Sequence, residues 1–460
     1  MQTFESSIEL PVSIEEAFAY HERSGALNRL IPPWEKVTIE STDGSLTPGS
    51  RVTLRTQLAG VPLRWVAEHR AYEPPHRFED VALSGPFRSW HHQHQFRSMS
   101  ADRSELTDHI EYEVPLGGLG NLVGGAFVRQ QIEAMFAYRH RVTRDDLTLA
   151  AKHSLAPQRI AITGAGGLLG QALMPFLSVL GHQVIAAKRE GNNASTSFRI
   201  NANASDLKGG ESKAGWNGIN TVIHLAGKSI ADARWTPDVK ADLRSSRVEP
   251  TRRLCEELAS LDQRPSTFIC ASAIGIYGDR GDETLDEASP PDESFLAEIG
   301  KQWEAACQPA RDAGIRVVNL RLGIILSPKG GALAKMLTPG KLGLGGPMGN
   351  GKQWMSWVAI DDVLGAIYHA IATPSIEGPM NVVSPKPCTN GEFAKVLGKV
   401  LRRPAFVPAP AFALRLALGE MADALLLAST RVEPRTLLSS GYTFRFDDLE
   451  QSLRYLLGRT

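Results

Sequence analysis

The chain has 460 residues, and its 50 Lys and Arg balance its 50 Asp and Glu. A neutral chain carries no field to steer it to nucleic acid or anionic lipid, and this length allows two to three domains, each with its own core. Four cysteines, Cys255, Cys270, Cys307 and Cys388, contain no C-x-x-C pair, which argues against a disulfide framework or a zinc knuckle and for reduced thiols.

The start, Met-Gln-Thr-Phe-Glu-Ser-Ser, has no basic region ahead of an apolar stretch, so no signal peptide is expected. No apolar run approaches the roughly 20 residues of a bilayer span. The expectation is a soluble, cytoplasmic protein without a membrane span or nucleic-acid partner.

In chain order, Ile14–Tyr20 has helical period. Strands are expected at Ser6–Leu10, Val37–Glu40, Arg51–Leu58, Leu63–Tyr72 and Arg77–Leu83. Trp90, His92, His94 and Phe96 share one face of a further strand, and Leu106, Asp108, Ile110, Tyr112 and Val114 one face of the next. A longer helix follows from Leu122 to about Val142. The sum is an α+β domain, a curved antiparallel sheet against a long helix.

That order, with Pro32-Pro33-Trp34 after the first helix and Gly85-Pro86-Phe87 between strands, resembles the START-like (SRPBCC) helix-grip superfamily over residues 1–148. The resemblance implies a cavity between sheet and helix for an apolar small molecule. His92 and His94 are a candidate metal pair, but no carboxylate or third histidine is evident on their face, so no metal is expected. Residues 145–157 lack a sustained period and end in proline; the linker is set at 149–157.

Gln158–Arg189 then reads as buried strand, glycine turn, helix and second strand. Gly164, Gly167 and Gly170 are spaced G-x-x-G-x-x-G: the first permits the turn, the second lets backbone approach a pyrophosphate, and the third lets helix pack on strand. Ala165, Gly166, Leu168 and Leu169 complete the turn and open a helix whose N–H groups face the phosphates. The second strand ends in Lys188-Arg189, where an NAD site carries an acid; a basic pair suits a ribose 2′-phosphate, so NADP is favoured, with Glu190 keeping NAD open.

Thr221–Leu225, Thr267–Ala271 and Arg316–Leu320 are short apolar runs of buried parallel-strand type, with helices at Ser246–Ser260 and Phe295–Ala313. The domain, 158–410, is a doubly wound Rossmann α/β fold. The extension 411–460 opens on Ala411–Leu427, expected to be an amphipathic helix against a core.

His224-Leu225-Ala226-Gly227, Ser272-Ala273-Ile274-Gly275-Ile276-Tyr277-Gly278, Arg321-Leu322-Gly323 and Trp357-Val358-Ala359-Ile360-Asp361-Asp362-Val363 stand in this order as in extended short-chain dehydrogenases of the nucleotide-sugar epimerase group. With Arg234-Trp235-Thr236, Arg244-Ser245-Ser246-Arg247, Trp303-Glu304 and Arg431-Val432-Glu433-Pro434, the chain resembles the atypical epimerase-family proteins. The resemblance implies cofactor contacts at Leu225, Ala226, Gly227 and Arg321, catalytic contacts at Ser272 and Tyr277, and substrate contacts at Gln353 and Trp357 after a mobile glycine loop, 340–351.

The family's Tyr-x-x-x-Lys is missing: no tyrosine has a lysine four residues on, and the two slots fall on Leu296 and Gly300. The usual Ser slot falls on Ala273, beside Ser272. Three readings follow: an NADP-dependent reductase or epimerase with another proton donor, an NADP-binding protein without turnover, and an apolar-ligand binder whose dinucleotide half is scaffold or redox control. Lys240, Arg244 and Arg247 read as a solvated helix face.

Overall fold

Alternating burial builds the first sheet of the computed structural model, which describes residues 1–58, 61–115, 117–190, 197–200 and 215–459. Two units result: Met1–Ala156 with Pro175–Gly181 and the last few residues, and Pro157–Met174 with His182–Leu456.

In the first unit, β1 (Gln2–Leu10), α1 (Ile14–Glu22) and α2 (Ala26–Leu30) precede β2 (Thr38–Thr42), β3 (Arg51–Leu58), β4 (Val61–Glu73), β5 (Arg77–Ser84), β6 (Ser89–Ser100), β7 (Arg103–Glu113) and α3 (Gly117–His153). The strands form one antiparallel sheet, β1-β7-β6-β5-β4-β3-β2. Along β7 every second side chain is buried, as the alternation requires. On α3, Ile132, Phe136, His140, Thr143 and Leu147 recur at helical spacing and are buried, and Ile132 and Phe136 pack on Phe4, Trp90, Ile110 and Tyr112.

Helix α3 runs to His153, so most of the stretch expected to be a linker is helical. Its period was hidden because an acid, Asp146, occupies the buried stripe. Asp146 is fully buried, receives Arg29 through Nε (2.7 Å) and Nη2 (2.8 Å), and accepts the Tyr20 hydroxyl at 2.9 Å.

The second unit holds β8 (Arg159–Thr163), α4 (Leu168–Val179), β9 (Gln183–Glu190), β10 (Ser197–Ile200), β11 (Thr221–His224), α5 (Pro237–Ser245), α6 (Val248–Ala259), β12 (Thr267–Ala273), β13 (Thr284–Leu285), α7 (Phe295–Ala305), α8 (Gln308–Asp312), β14 (Arg316–Leu322), β15 (Ile324–Leu326), α9 (Gly331–Lys341), β16 (Trp354–Met355), β17 (Trp357–Ala359), α10 (Ile360–Ala372), β18 (Gly378–Val382), β19 (Cys388–Thr389) and α11 (Asn390–Leu401). The sheet order is β10-β9-β8-β11-β12-β14-β18, parallel apart from β10. Strand order reverses direction at β8, the switch point where such sheets hold ligands. The single helix expected over Phe295–Ala313 is two, because Pro309 lacks the N–H and the space to continue the first.

The C-terminal segment adds α12 (Ala411–Leu418), α13 (Glu420–Ala422), β20 (Arg431–Val432), α14 (Arg435–Ser439) and α15 (Leu449–Leu457). The long amphipathic helix is not formed: Gly419, at φ +65°, stops α12, and Phe412 and Leu416 on it are exposed. Buried Asp362 at the start of α10 ties this segment down, accepting N–H groups from Arg445 (2.7 Å) and Phe446 (3.1 Å); burial pushes its carboxyl up to about 7. Among the described residues no helix is long and apolar enough to cross a membrane.

Asp146→Ala removes the carboxylate that Arg29 and Tyr20 share and takes both of its bonds from a buried guanidinium. The expected loss is about 3–5 kcal/mol from the first unit, seen as an earlier first transition in denaturant unfolding of the full chain.

Candidate functional site

The glycine turn between β8 and α4 is set by contact distances. Gly164 has φ +73°, and a Cβ there would stand 2.7 Å from the Leu225 carbonyl carbon and 2.9 Å from the Ala226 nitrogen. A Cβ on Gly170 would stand 2.4 Å from the Gly164 oxygen and 2.6 Å from the Ala165 Cα. Main chain therefore touches main chain from β8, β11 and α4 at one point. The Leu225 N–H donates to the Thr163 oxygen at 3.1 Å, and the Gly167 N–H to the Gly164 oxygen at 3.0 Å. Gly166 and Gly167 are exposed, Ala165 and Leu168 half-buried, and Leu169 buried behind them. Leu225 and Ala226 are half-buried and Gly227 is exposed at the end of β11. The turn thus offers a main-chain surface at the N-terminus of a 12-residue helix, the geometry that suits a diphosphate.

Behind it, fully buried His224 locks β11 to its neighbours, with Nδ1 at 2.7 Å from Thr163 Oγ1 and Nε2 at 3.0 Å from Thr251 Oγ1. Burial pushes its imidazole down to about 4. Register pairs Thr163 with Ala187, so Lys188 and Arg189 follow at the level of the turn, and both are exposed. The side chain of Glu190, which kept NAD open, lies outside the described residues.

The two expected catalytic hydroxyls point inward. Ser272 Oγ donates to Glu304 Oε1 at 2.7 Å and is buried. Tyr277, on a short turn after β12, is fully buried; its hydroxyl donates to Asn381 Oδ1 at 2.8 Å and receives Arg321 Nη1 at 2.8 Å. Arg321 also grips Glu304 through Nε and Nη2, both at 2.9 Å. Its guanidinium is therefore engaged inside the sheet by Glu304 and Tyr277. Burial raises the Tyr277 phenol, against the pull of Arg321. A phenol exchanging protons near neutrality needs the opposite shift. Both hydroxyls tie β12 and the turn after it to β14 and α7. Asn381 is the network member that sequence reading missed, since a lone Asn in a strand carries no pattern; Glu304 stood in the Trp303-Glu304 motif with no role assigned to it.

The two residues expected to contact substrate are both buried. Trp357 is fully buried in β17, its Nε1 donating to the Lys386 oxygen at 3.1 Å. Gln353 is buried and pins two loops, with Nε2 donating to the Met348 oxygen (3.1 Å) and the Leu426 oxygen (2.9 Å). The glycine loop is held by main-chain bonds from Gly349 N to the Ala409 oxygen (2.8 Å) and from Ala409 N to the Pro347 oxygen (2.9 Å). Of the three cations expected on a solvated helix face, Arg244 is exposed, Lys240 is half-buried and pairs with Glu420 at 2.5 Å, and Arg247 is buried, donating to the Lys228 oxygen at 2.6 Å.

A cleft of about 80 Å³ does open beside the family's missing tyrosine slot. Leu296 lines it with Trp235, Phe295 and Ala424; Asp279, Ser294 and Thr430 bring polar atoms. Sequence gave no sign of it, because its walls come from α7 and from the C-terminal segment, far apart in the chain.

In the first unit the metal argument also changes. Asp80 and Asp108 lie on the same sheet face as His92 and His94, contrary to the expectation that no carboxylate was near. The signal was present: Asp108 is a charged residue on an otherwise apolar strand face. Between sheet and helix, where a cavity was expected, Phe4, Trp90, Tyr112 and Phe136 pack as one buried cluster.

Residues 160–383 match the model of the NAD dependent epimerase/dehydratase family, residues 10–136 that of polyketide cyclase / dehydrase and lipid transport, and residues 409–456 a domain of unknown function. The chain is 38% identical over 301 residues to epimerase family protein YfhF of Bacillus subtilis, covering 65% of this chain and 97% of that one. It is 31% identical over 303 residues to human epimerase family protein SDR39U1, covering 65% and 99%. In fold it is similar to a nucleoside-diphosphate sugar epimerase from Corynebacterium glutamicum, with TM-score 0.79 and 32% identity over 99% of this chain and 90% of that one. Human SDR39U1, solved with NADPH, superposes with TM-score 0.57 and 30% identity over 65% of this chain and 99% of that one.

Gly170→Ala forces its new methyl into the Gly164 carbonyl and is expected to destabilise the second unit by about 1–3 kcal/mol, read as a lower melting temperature. His224 titrates near 6.5 unfolded and near 4 folded, so its contribution to stability is lost as pH falls through that interval. His224→Asn is expected to flatten the acid side of the second unit's stability profile.

Proposed function

The chain belongs to the epimerase family, and from that premise we propose that it is an NADP-dependent oxidoreductase or epimerase of the atypical short-chain dehydrogenase kind. The observation that carries this reading is the glycine turn with two exposed cations at its level: main-chain N–H groups at Gly166 and Leu168 for the diphosphate, and Lys188 and Arg189 for the ribose 2′-phosphate. Leu225, Ala226 and Gly227 form the wall on the β11 side. A bound nicotinamide dinucleotide phosphate supplies hydride-transfer chemistry there.

The substrate lies in the cleft of Trp235, Phe295 and Leu296, whose apolar walls favour a molecule with an apolar body over a free sugar nucleotide. Proton exchange falls to Asp279 or Ser294 of that cleft, or to water, because the Ser272 and Tyr277 hydroxyls are committed to Glu304 and Asn381 and the Thr430 hydroxyl to the Gly278 oxygen. The START-like unit binds the same apolar molecule and raises its effective concentration on the shared chain.

A second reading is favoured by the raised Tyr277 phenol and by Leu296 and Gly300 in place of the Tyr-x-x-x-Lys pair: an NADP-binding protein that reports cofactor state without turnover.

Arg189→Glu is expected to weaken NADPH binding about tenfold or more, the worth of a charge-assisted hydrogen bond, while NADH binding stays within a few-fold. Equal losses for both nucleotides overturn the NADP assignment. Oxidation of NADPH by a lipophilic carbonyl panel, followed by absorbance, supports the enzyme; tight binding with no oxidation across the panel supports the sensor.

A further inference from the structure

The first unit carries a second candidate site that owes nothing to the nucleotide turn. Strand register places His69 of β4, Asp80 of β5 and His92 of β6 side by side, and His94 of β6 and Asp108 of β7 in the next row on the same face. His92 Nδ1 lies 3.3 Å from Asp80 Oδ2, and its Nε2 lies 2.9 Å from Asp108 Oδ1. The His92 and His94 rings have centroids 3.9 Å apart. One ligand atom from each of Asp80, His92 and His94 falls within 4.8 Å of the others. Ligands standing about 2.0 Å from a tetrahedral ion are roughly 3.3 Å from one another, the spacing already present between His92 and Asp80.

Three further observations point to a cation. His94 Nδ1 lies 2.6 Å from Asp108 Oδ1 yet off the line of a hydrogen bond, which leaves this buried nitrogen without a hydrogen-bond partner. His69 is 8% exposed, faces Asp80 across the strands, and has a buried Nδ1 with no partner. Asp108 holds His92 from behind and is itself fixed by His140 Nε2 at 2.6 Å, as a carboxylate does when it orients a metal-bound imidazole. Asp80 and His94 keep 17% and 13% of their side chains exposed, an entry path that the more deeply buried His92 lacks.

We propose that Asp80, His92 and His94 form a binding site for a divalent transition ion of the zinc class, oriented by Asp108, with a fourth position left for water or an oxygen of a small molecule. Three protein ligands with one open position is the arrangement of reactive rather than purely structural zinc sites.

The test uses the full chain, freed of metal by chelator and titrated with Zn²⁺ and Co²⁺. One ion per chain is expected, with Co²⁺ giving the visible absorption of a four-coordinate site. His94→Gln and Asp80→Asn are each expected to weaken binding at least tenfold and abolish that absorption, while His109→Gln, at a half-buried position of β7 beside Glu5, changes neither. Circular dichroism of the metal-free variants checks that they fold; should Asp80→Asn unfold, His94→Gln decides. Absence of stoichiometric binding to the native chain, or binding that survives in a folded His94→Gln, overturns the site.

Discussion

Main-chain contact at one point governs the second unit. Gly164 lies against the Leu225–Ala226 peptide, and Gly170 lies against Gly164 itself, with no space for a methyl at either position. This lets α4 begin directly over the end of β8, aims its first N–H groups outward, and brings the end of β11 beside them. Everything assigned to a nucleotide depends on that approach: if α4 stood off by the width of a side chain, its N-terminus would no longer share a surface with β11, and Lys188 and Arg189 would lose their place relative to it.

Beneath that surface the sheet is held by a polar network. Ser272, Tyr277, Glu304, Arg321 and Asn381 satisfy one another across β12, β14, β18 and α7. Buried charges are tolerated when paired and fully hydrogen-bonded, and a complete network of this kind fixes one arrangement of its elements. Ser272, Tyr277 and Arg321, which the family resemblance marks as site residues, all belong to this network. The opening beside Leu296 instead has apolar walls, with its polar atoms on loops and on the C-terminal segment.

The first unit shows the same economy with different chemistry. Its sheet buries aromatics at one end of the inner face and a histidine–aspartate cluster further along, on strands whose alternation is otherwise regular. Asp146 under Arg29 and Asp108 under its histidines are each an acid on a buried face, held by cations or imidazoles from other elements.

The sequence alone determined whatever depends on neighbours along the chain. The strands of the first sheet, the β8–α4–β9 unit and the glycine spacing follow from period and from the space a side chain needs, and both are local properties. The family resemblance rested on short motifs in order, each again local. Where a buried acid interrupted a period, as at Asp146 in α3, local reading gave a linker where there is helix. Tertiary structure alone decided the partners. That Ser272 turns to Glu304 across 32 positions, that Arg321 and Tyr277 meet, that Trp357 is core, and that Asp80 and Asp108 flank His92 are facts of strand register and of which helix covers which face. A hydrogen bond between distant positions leaves no mark on the residues between them, so these contacts exist only once the chain has folded.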